Sequence, residues 1–528
     1  MATRWDCRGD VSANRLVRPL VTMRLNSDVA FLPDHLSGDL ASRSVRGGMS
    51  TFSFQLAKTV IQMVSVVVLA RVLTPDDFGL IAMVAVVLGF MELFKDAGLT
   101  YVTIQQKTIS VDQASALFWV NMATVSALGM CILALSPLVA RFYNQPALTA
   151  VCAALSLAFV LNGLSVQHDA MLRRHMRFTA LGVSQTLSRA LSTIVCIALA
   201  IAGWGYWALV AGTFALSISS SLISFFMFPW VPGRPRRGSG VRPMLRFGTH
   251  MVQFEFVAYF SRNMDNILVG KFIGADGLGL YSRAFQLFMQ PFTQIRAPLI
   301  DVALPVLSSL RTYPSRYRSY YERLLDVTAT LTVPLAVYSI LEADFIVRVM
   351  LGYQWIGVVP VFRILAVAGI LQAVATTRGT VLVSLGNSKK YYRFGLINSV
   401  VMVTAYAAGL RFGIAGVAAG YAIASYAVLV PSLLYCFADT PVTIGLFMRA
   451  IAPSLMVTGW AAISTIVAHF LLLRFGWLAT GIIATGVFAL VYVSLSLRRP
   501  MVREMLARGV TALSFPHGNL ADEREQES

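Results

Sequence analysis

The stretch LARVLTPDDFGL, Leu69–Leu80, leaves one long apolar run and enters the next. A related stretch, VGKFIGADGLGL, occupies Val269–Leu280, two hundred residues later and in the same register. Asp76, Gly79 and Leu80 recur as Asp276, Gly279 and Leu280. Arg71 is answered by Lys271, Leu73 by Ile273 and Phe78 by Leu278. Upstream, Gly48, Phe54, Gln55 and Gln62 align with Gly248, Phe254, Glu255 and Arg262. An echo at a long fixed offset predicts a duplicated helical bundle. Within each copy the stretch reads as a hairpin. Thr74 can cap, Pro75 suits the first helical position, and Asp76 and Asp77 complement the dipole of the helix they open. Gly274-Ala275-Asp276-Gly277 makes the matching turn by a more flexible route.

The composition around this repeat is that of a membrane protein. Of 528 residues, 57% are hydrophobic and 13% charged, against roughly 25% charged in soluble domains. Mean hydropathy is +0.68. Runs of about 20 apolar residues, the length of a bilayer-crossing helix, recur along the chain. Strands of about 10 residues with dyad alternation, which a barrel needs, are absent from the sequence. The predicted fold is an all-α polytopic membrane protein with about fourteen transmembrane helices.

The expected spans are 49–70, 78–95, 114–140, 147–167, 179–202, 205–229, 247–270, 278–304, 324–341, 357–385, 394–410, 413–437, 447–471 and 476–496. They group into two pseudo-symmetric six-helix lobes, 47–229 and 247–437, with two C-terminal helices in 438–497. Residues 230–246, WVPGRPRRGSGVRPMLR, form a Pro-, Gly- and Arg-rich cytoplasmic linker between the lobes. Residues 1–46 read as a disordered basic cytoplasmic arm, or as sequence ahead of a start nearer Met49. Residues 498–528 read as a disordered cytoplasmic tail.

Orientation follows from the cations. With the N-terminus placed in the cytoplasm, thirty of the 43 Lys and Arg residues fall on that side and six on the other. That asymmetry supports an even number of spans with both termini inside. It also accounts for the net charge of +18, so nucleic acid is not called for as a partner. The five cysteines (Cys7, Cys131, Cys152, Cys196, Cys436) show no metal or redox spacing.

Charged side chains inside spans carry the functional expectation, because each costs about 2.5–3.5 kcal/mol to insert and tends to face a partner or a wet cavity. Lys58, Arg189, Arg262, Arg283, Arg296, Arg363 and Arg378 are the cations; Glu255 and Asp265 are the deep acids. Gln55, Lys58, Thr59 and Gln62 form one polar stripe, and Glu255, Tyr259, Arg262 and Asn266 form another at equivalent places in the two repeats. Facing each other, they would line a central cleft with excess positive charge. Such a cleft suits an anionic headgroup, and Arg suits phosphate because its fork binds two oxygens. Local pairing is the alternative, with Arg262 and Asp265 at i, i+3 and with Arg283 and Arg363 snorkelling. Glu255 and Asp265 are candidates for ion or proton coupling. Spans 1–6 offer no carboxylate well inside. No phosphate-binding GxxxxGK[ST] loop, histidine metal set or large outer loop is present in the sequence, so neither enzyme nor cofactor is called for.

The chain resembles the polysaccharide flippases of the multidrug/oligosaccharidyl-lipid/polysaccharide (MOP) exporter superfamily, and within them the Wzx-type O-antigen and exopolysaccharide branch. The resembling residues are Leu69–Leu80 with Asp96-Ala97-Gly98-Leu99, Asn266–Tyr281, Gly352-Tyr353-Gln354-Trp355, Leu385-Gly386-Asn387-Ser388-Lys389 and Gly413-Ile414-Ala415-Gly416-Val417-Ala418. The resemblance implies a two-lobed bundle working by alternating access in a bacterial inner membrane. Its implied cargo is an undecaprenyl-diphosphate-linked oligosaccharide. Its implied partners are membrane lipids and the polymerase and export machinery of polysaccharide assembly. A peptidoglycan lipid-precursor flippase is the nearest rival; a multidrug or cation antiporter of the same superfamily is the next. The superfamily pattern transfers no binding residue, so the cations above rest on this sequence alone.

Overall fold

A computed structural model describes residues 40–95, Thr100, Thr103, 109–234, 259–472 and 476–508. The repeated hairpin forms as predicted. Helix α1 (Leu40–Val72) gives way to α2 (Pro75–Lys95) across Leu73 and Thr74. The Thr74 backbone N–H and hydroxyl both donate to Asp77 Oδ2, at 2.9 and 2.8 Å, and the Asp77 N–H donates to Thr74 Oγ1 at 3.3 Å. This reciprocal cap, with Pro75 at the first helical position, fixes where α2 begins. In the second copy, α7 (described over 259–272) turns into α8 (Ala275–Ser309) through Gly274 at φ +99°, a conformation glycine adopts without strain.

The first lobe continues with α3 (Val111–Tyr143), α4 (Ala147–Arg174), α5 (Phe178–Ile201) and α6 (Tyr206–Met227). Helix α3 packs on α4, α4 on α6, α6 on α5 and α5 on α1. The second lobe continues with α9 (Pro314–Leu341), the short α10 (Ala343–Met350), α11 (Val358–Ala375), α12 (Arg378–Ser384), α13 (Ser388–Gly409) and α14 (Gly413–Phe437). Two further helices, α15 (Ile444–Leu471) and α16 (Trp477–Ser496), pack as a pair, with α15 against α9, and α17 (Pro500–Arg508) follows. The pair is fastened to α9 at both ends. Arg499 pairs with Asp326 and donates to Thr330 Oγ1 and Ser454 Oγ. His469 Nε2 lies 2.7 Å from the buried Glu342.

Eleven stretches among the described residues are long and apolar enough to cross a membrane, and one of them, Ser388–Phe437, holds both α13 and α14. Helix α8 is not among them, although it runs 35 residues. It carries Asp276, Arg283, Arg296 and Asp301, and prolines at 291, 298 and 305 that each remove one backbone hydrogen bond. The protein is a multi-pass helical membrane protein; fourteen spans are an expectation that length and composition alone do not reproduce.

Several expected boundaries move: helix α1 begins at Leu40, inside the arm expected to be disordered, and α17 lies within the expected tail. Helix α4 continues past residue 167 to Arg174. Helix α9 begins ten residues early, at Pro314, because Tyr317, Tyr320 and Tyr321 bury themselves in the second lobe. The tenth span breaks between α11 and α12, where Thr377 N–H bonds Val374 O instead of the carbonyl four residues back.

The two hairpins meet. A Cβ added at Gly79 would lie 1.8 Å from the Ala275 carbonyl oxygen, and one added at Gly279 would lie 1.9 Å from the Pro75 carbonyl oxygen. The two contacts are the same one with the copies exchanged, 79 against 275 and 279 against 75, so a pseudo-twofold axis passes between α2 and α8. At this hairpin end, Arg71 Nη2 donates to Val349 O in the last turn of α10 at 3.1 Å. Its counterpart Lys271 donates to Phe142 O in the last turn of α3. Each lobe thus places a cation on the negative end of a helix in the other. Trp355 Nε1 adds a bond to Ala70 O at 2.6 Å, and the Trp355 ring meets Phe78. The hairpin end is therefore a closed seam between the lobes.

Candidate functional site

With one end closed, the interior of the first lobe holds a cavity of 560 Å³. Lys58 lies fourteen residues before the end of α1, roughly 20 Å from the seam at 1.5 Å per residue. Its Nζ donates to Gln185 Oε1 at 2.9 Å, and Arg189, one turn further along α5, lines the same cavity. Among the described residues, Arg189 has neither a hydrogen-bond nor an ion-pair partner, and Lys58 has no carboxylate. Two cations from α1 and α5 thus face open volume with no carboxylate bonded to either.

The opposite wall comes from α2 and α4. Lys95 is buried, bonds both oxygens of Glu92 at 3.1 and 3.2 Å, bonds Asn162 Oδ1 and lies over the Phe159 ring. Its charge is satisfied within the wall. Asp169 accepts from Ser224 at 2.7 Å, and Ser224 pairs with Ser184. Arg173, one turn from Asp169, completes the rim. This wall overturns the expectation that the first six spans hold no interior carboxylate. Asp169 lies inside α4 and lines the cavity because the helix runs on to Arg174. Glu92 and Lys95 stand at the end of the expected span 78–95, Asp169 and Arg173 lie just past the expected span 147–167, and Asn162 lies inside that span; only the i, i+3 spacing of Glu92 and Lys95 hints at more.

A second cavity, 320 Å³ and largely apolar, lies between the lobes, lined by Met63 and Val66 of α1, Leu287 and Ile295 of α8, and Leu335 of α9. Arg283 stands in its wall. The guanidinium carbon is 3.9 Å from the Phe78 ring centroid, Nη1 donates to Gln286 Oε1 at 2.7 Å, and the buried Nε has no hydrogen-bond partner.

The remaining candidates lie apart. Arg296 lines a 40 Å³ pocket between α8 and α11. Arg378 is buried at the break in span 10, donates to Ala375 O at 2.8 Å and covers Phe394, so it fills the kink it sits in. Arg363 donates to Ile340 O at the end of α9 and is exposed. Arg262 is exposed on α7. Tyr259 of its stripe is buried against α2, and its hydroxyl donates to Val86 O at 2.6 Å. Asp265 is 1% exposed and accepts from Tyr281 Oη at 3.0 Å and from the Asn266 N–H at 2.8 Å; it forms no ion pair with Arg262. Glu255 lies outside the described residues. The structure therefore brings Lys58 and Arg189 together and distributes the other cations.

Residues 68–360 match the family described as polysaccharide biosynthesis protein. The chain is 24% identical over 417 residues to the lipopolysaccharide biosynthesis protein WzxC of Escherichia coli strain K12, covering 78% of this chain and 83% of that protein. It is 24% identical over 350 residues to the succinoglycan biosynthesis transport protein ExoT of Rhizobium meliloti strain 1021, covering 66% and 71%. Among solved structures, the lipid II flippase MurJ in an inward closed conformation superposes with a TM-score of 0.68 at 13% identity, covering 88% of this chain and all of that one. The last likeness is one of fold.

Proposed function

The chain belongs to the polysaccharide biosynthesis protein family, and from that premise we propose that it flips an undecaprenyl-diphosphate-linked oligosaccharide across a bacterial inner membrane by alternating access. It is a transporter and not an enzyme. The cargo is the repeat unit of an exopolysaccharide, O-antigen or capsule, received from the cytoplasmic leaflet and released to the other. The observation that carries this reading is the pair Lys58 and Arg189, two cations with no carboxylate bonded to either, facing a 560 Å³ cavity whose carboxylates, Glu92 and Asp169, belong to the opposite wall. A diphosphate supplies the missing charge and the acceptor oxygens. The adjoining apolar cavity, with Arg283 in its wall, gives a prenyl chain somewhere to lie while the headgroup stays wet.

In this assignment the basic end of the bundle and both termini are cytoplasmic, and the seam faces the periplasm. The chain would then be shut to the outside and accessible from within. An inside-negative potential favours outward movement of the diphosphate by about 2.3 kcal/mol per charge per 100 mV. Arg296, Arg262, Arg363 and Arg378 support the second lobe around this route, and Asp265, with Glu255 upstream of it on the same expected span, is where a coupling cation or proton would act.

Translocation of a fluorescent undecaprenyl-diphosphate oligosaccharide in proteoliposomes tests the reading. Wild type is expected to move it, and a Lys58→Glu, Arg189→Glu double variant that still inserts is expected not to. Wild-type rates in the double variant would overturn the site. Transport of a peptidoglycan precursor in place of the oligosaccharide would favour the rival cargo.

A further inference from the structure

We propose that Arg283, Phe78 and Trp355 form a trigger that releases the seam between the lobes when the anionic head of the cargo reaches the inter-lobe cavity. This inference rests on the diphosphate reading above and adds how the cargo controls the opening.

The seam carries a clasp. The Thr74 N–H donates to Asp77 and not to the carbonyl four residues back, so Ala70 O at the end of α1 is left for another donor. The second lobe supplies it. Trp355 Nε1 donates to Ala70 O at 2.6 Å, and Gln354 Nε2 donates to Ala70 O and to Leu73 O. Trp355 is fully buried, and its ring centroid lies 5.5 Å from that of Phe78. The Arg283 guanidinium carbon lies 3.9 Å from the same Phe78 ring. One aromatic ring thus joins the clasp to a cation in the cavity wall.

The duplicated scaffold shows that packing alone does not require this cation. Two hundred residues from Phe78 and Arg283 stand Leu278 and Met83, both fully buried and both packed over Gly270. The other copy therefore fills the equivalent place with two apolar side chains. A cation within a membrane span is costly and marks a function by default. Arg283 forms no ion pair among the described residues, and its buried Nε has no hydrogen-bond partner.

Its position suits a sensor. Arg283 lies eight residues into α8, roughly 12 Å from the seam, against roughly 20 Å for Lys58. An anionic head moving from the first-lobe cations toward the seam would meet it next. A guanidinium bonds phosphate through two parallel N–H groups, a stronger contact than the face of a ring. With the seam shut, Arg283 gives up Phe78 to make those bonds. With α2 and α8 apart, it has no ring to give up. The anion therefore binds the open-seam state more tightly, and only such a difference shifts the equilibrium between the two states. Once Phe78 loses its cation, Trp355 loses the backing that holds its N–H on Ala70 O.

The test uses the purified full chain in lipid nanodiscs, with spin labels on the two hairpins and two probes: farnesyl diphosphate, and farnesol, which carries no anion. Isothermal titration reports binding, and the label distances report the ratio of open to closed seam. Farnesyl diphosphate is expected to raise that ratio at least roughly fivefold in wild type, and farnesol to leave it unchanged. Phe78→Leu and Arg283→Met give each position the residue of the other copy, and in both the response to farnesyl diphosphate is expected to vanish. A residue that only packs the seam would shift the ratio equally with and without the probe and leave the response intact. Phe78→Leu is expected to bind farnesyl diphosphate like wild type, since Phe78 lines neither cavity. Arg283→Met keeps the trigger testable if Phe78→Leu does not fold. Trp355→Phe, which deletes the clasp donor and keeps a ring, is expected to open the seam severalfold with no probe present. An equal response to farnesol, a wild-type seam unmoved by bound farnesyl diphosphate, a full response in Phe78→Leu or Arg283→Met, or a closed seam in Trp355→Phe overturns the trigger alone. Failure of wild type to bind farnesyl diphosphate overturns the diphosphate reading beneath it.

Discussion

The two lobes share a scaffold and differ in what they enclose. At the seam their correspondence is residue by residue: Gly79 with Gly279, Arg71 with Lys271, Pro75 with Ala275. In the interior it is lost. The first lobe encloses 560 Å³ lined by charges. Among the described residues, the second lobe packs Tyr281, Phe285, Tyr406 and Tyr421 against one another and holds a 40 Å³ pocket beside Arg296. The reason is geometric. At the seam, backbone touches backbone, so each glycine is dictated by its partner across the axis. In the interior, side chains answer only to their own lobe and can diverge. One lobe has become the vessel and the other the wall it works against.

The largest effect is expected where backbone meets backbone. Gly79→Val and Gly279→Val each place a side chain on a carbonyl oxygen of the other hairpin. Overpacking of this kind costs about 1–3 kcal/mol where neighbours can shift, and backbone shifts less readily than a side chain. Each variant is expected to hold the seam open and abolish translocation. Spin labels on the two hairpins should show the distance between them lengthen by the same amount in both variants. A normal seam in either one would break the symmetry of the comparison.

A smaller loss, of about a hundredfold in rate, is expected from Lys58→Glu or Arg189→Glu alone, since each reverses a charge in contact with cargo. Arg296→Glu in the second lobe is expected to cost less than about tenfold, because a 40 Å³ pocket admits no headgroup. Flux in proteoliposomes decides. Equal losses in the two lobes would mean that the cargo is held between them and not in the first.

How much of this was legible beforehand follows the same division. The hairpin could be read because Thr74, Pro75 and Asp77 are close in sequence and cap one another. Helical periodicity placed Lys58 correctly on a wet face. It could not place Tyr259, whose direction is set by Gly89, a residue 170 positions away that leaves room for its hydroxyl. Asp169 was missed because a polar residue just past an apolar run reads as a loop. Burial by Ser224 and Ser184, from two other helices, makes it interior. Arg378 was legible as a buried cation but not as the filler of a kink, since the break in span 10 has no proline to announce it.

The buried acid of the second lobe offers a finer test. Asp265→Asn keeps one oxygen to accept from the Asn266 N–H and turns an amide N–H toward Tyr281 Oη, which can accept it, so the variant is expected to fold with a melting temperature within a few degrees of wild type. If Asp265 is the coupling group, downhill flux persists and its dependence on an imposed sodium or proton gradient disappears. Gradient dependence that survives the change would leave Asp265 as an anchor for Tyr281 and nothing more.

The smallest effect, and the sharpest check on symmetry, belongs to the two cations of the seam. Arg71→Ala removes a charged donor from Val349 O, and Lys271→Ala removes one from Phe142 O. Hydrogen bonds from charged groups contribute about 1.5–3 kcal/mol when sheltered. These two are exposed, and solvent reduces that to roughly 0.5–1 kcal/mol each. A two- to fivefold shift toward the open seam is therefore expected in each single variant, read from the same spin-label distances. Because Arg71 and Lys271 sit on opposite sides of the axis and share no partner, their effects should add in the double variant. Lys271 also covers the Phe142 ring, whereas Trp355 backs the Arg71 side by bonding Ala70 O. Lys271→Ala should therefore open the seam somewhat more than Arg71→Ala, and the reverse order would show that the tryptophan does not reinforce its side.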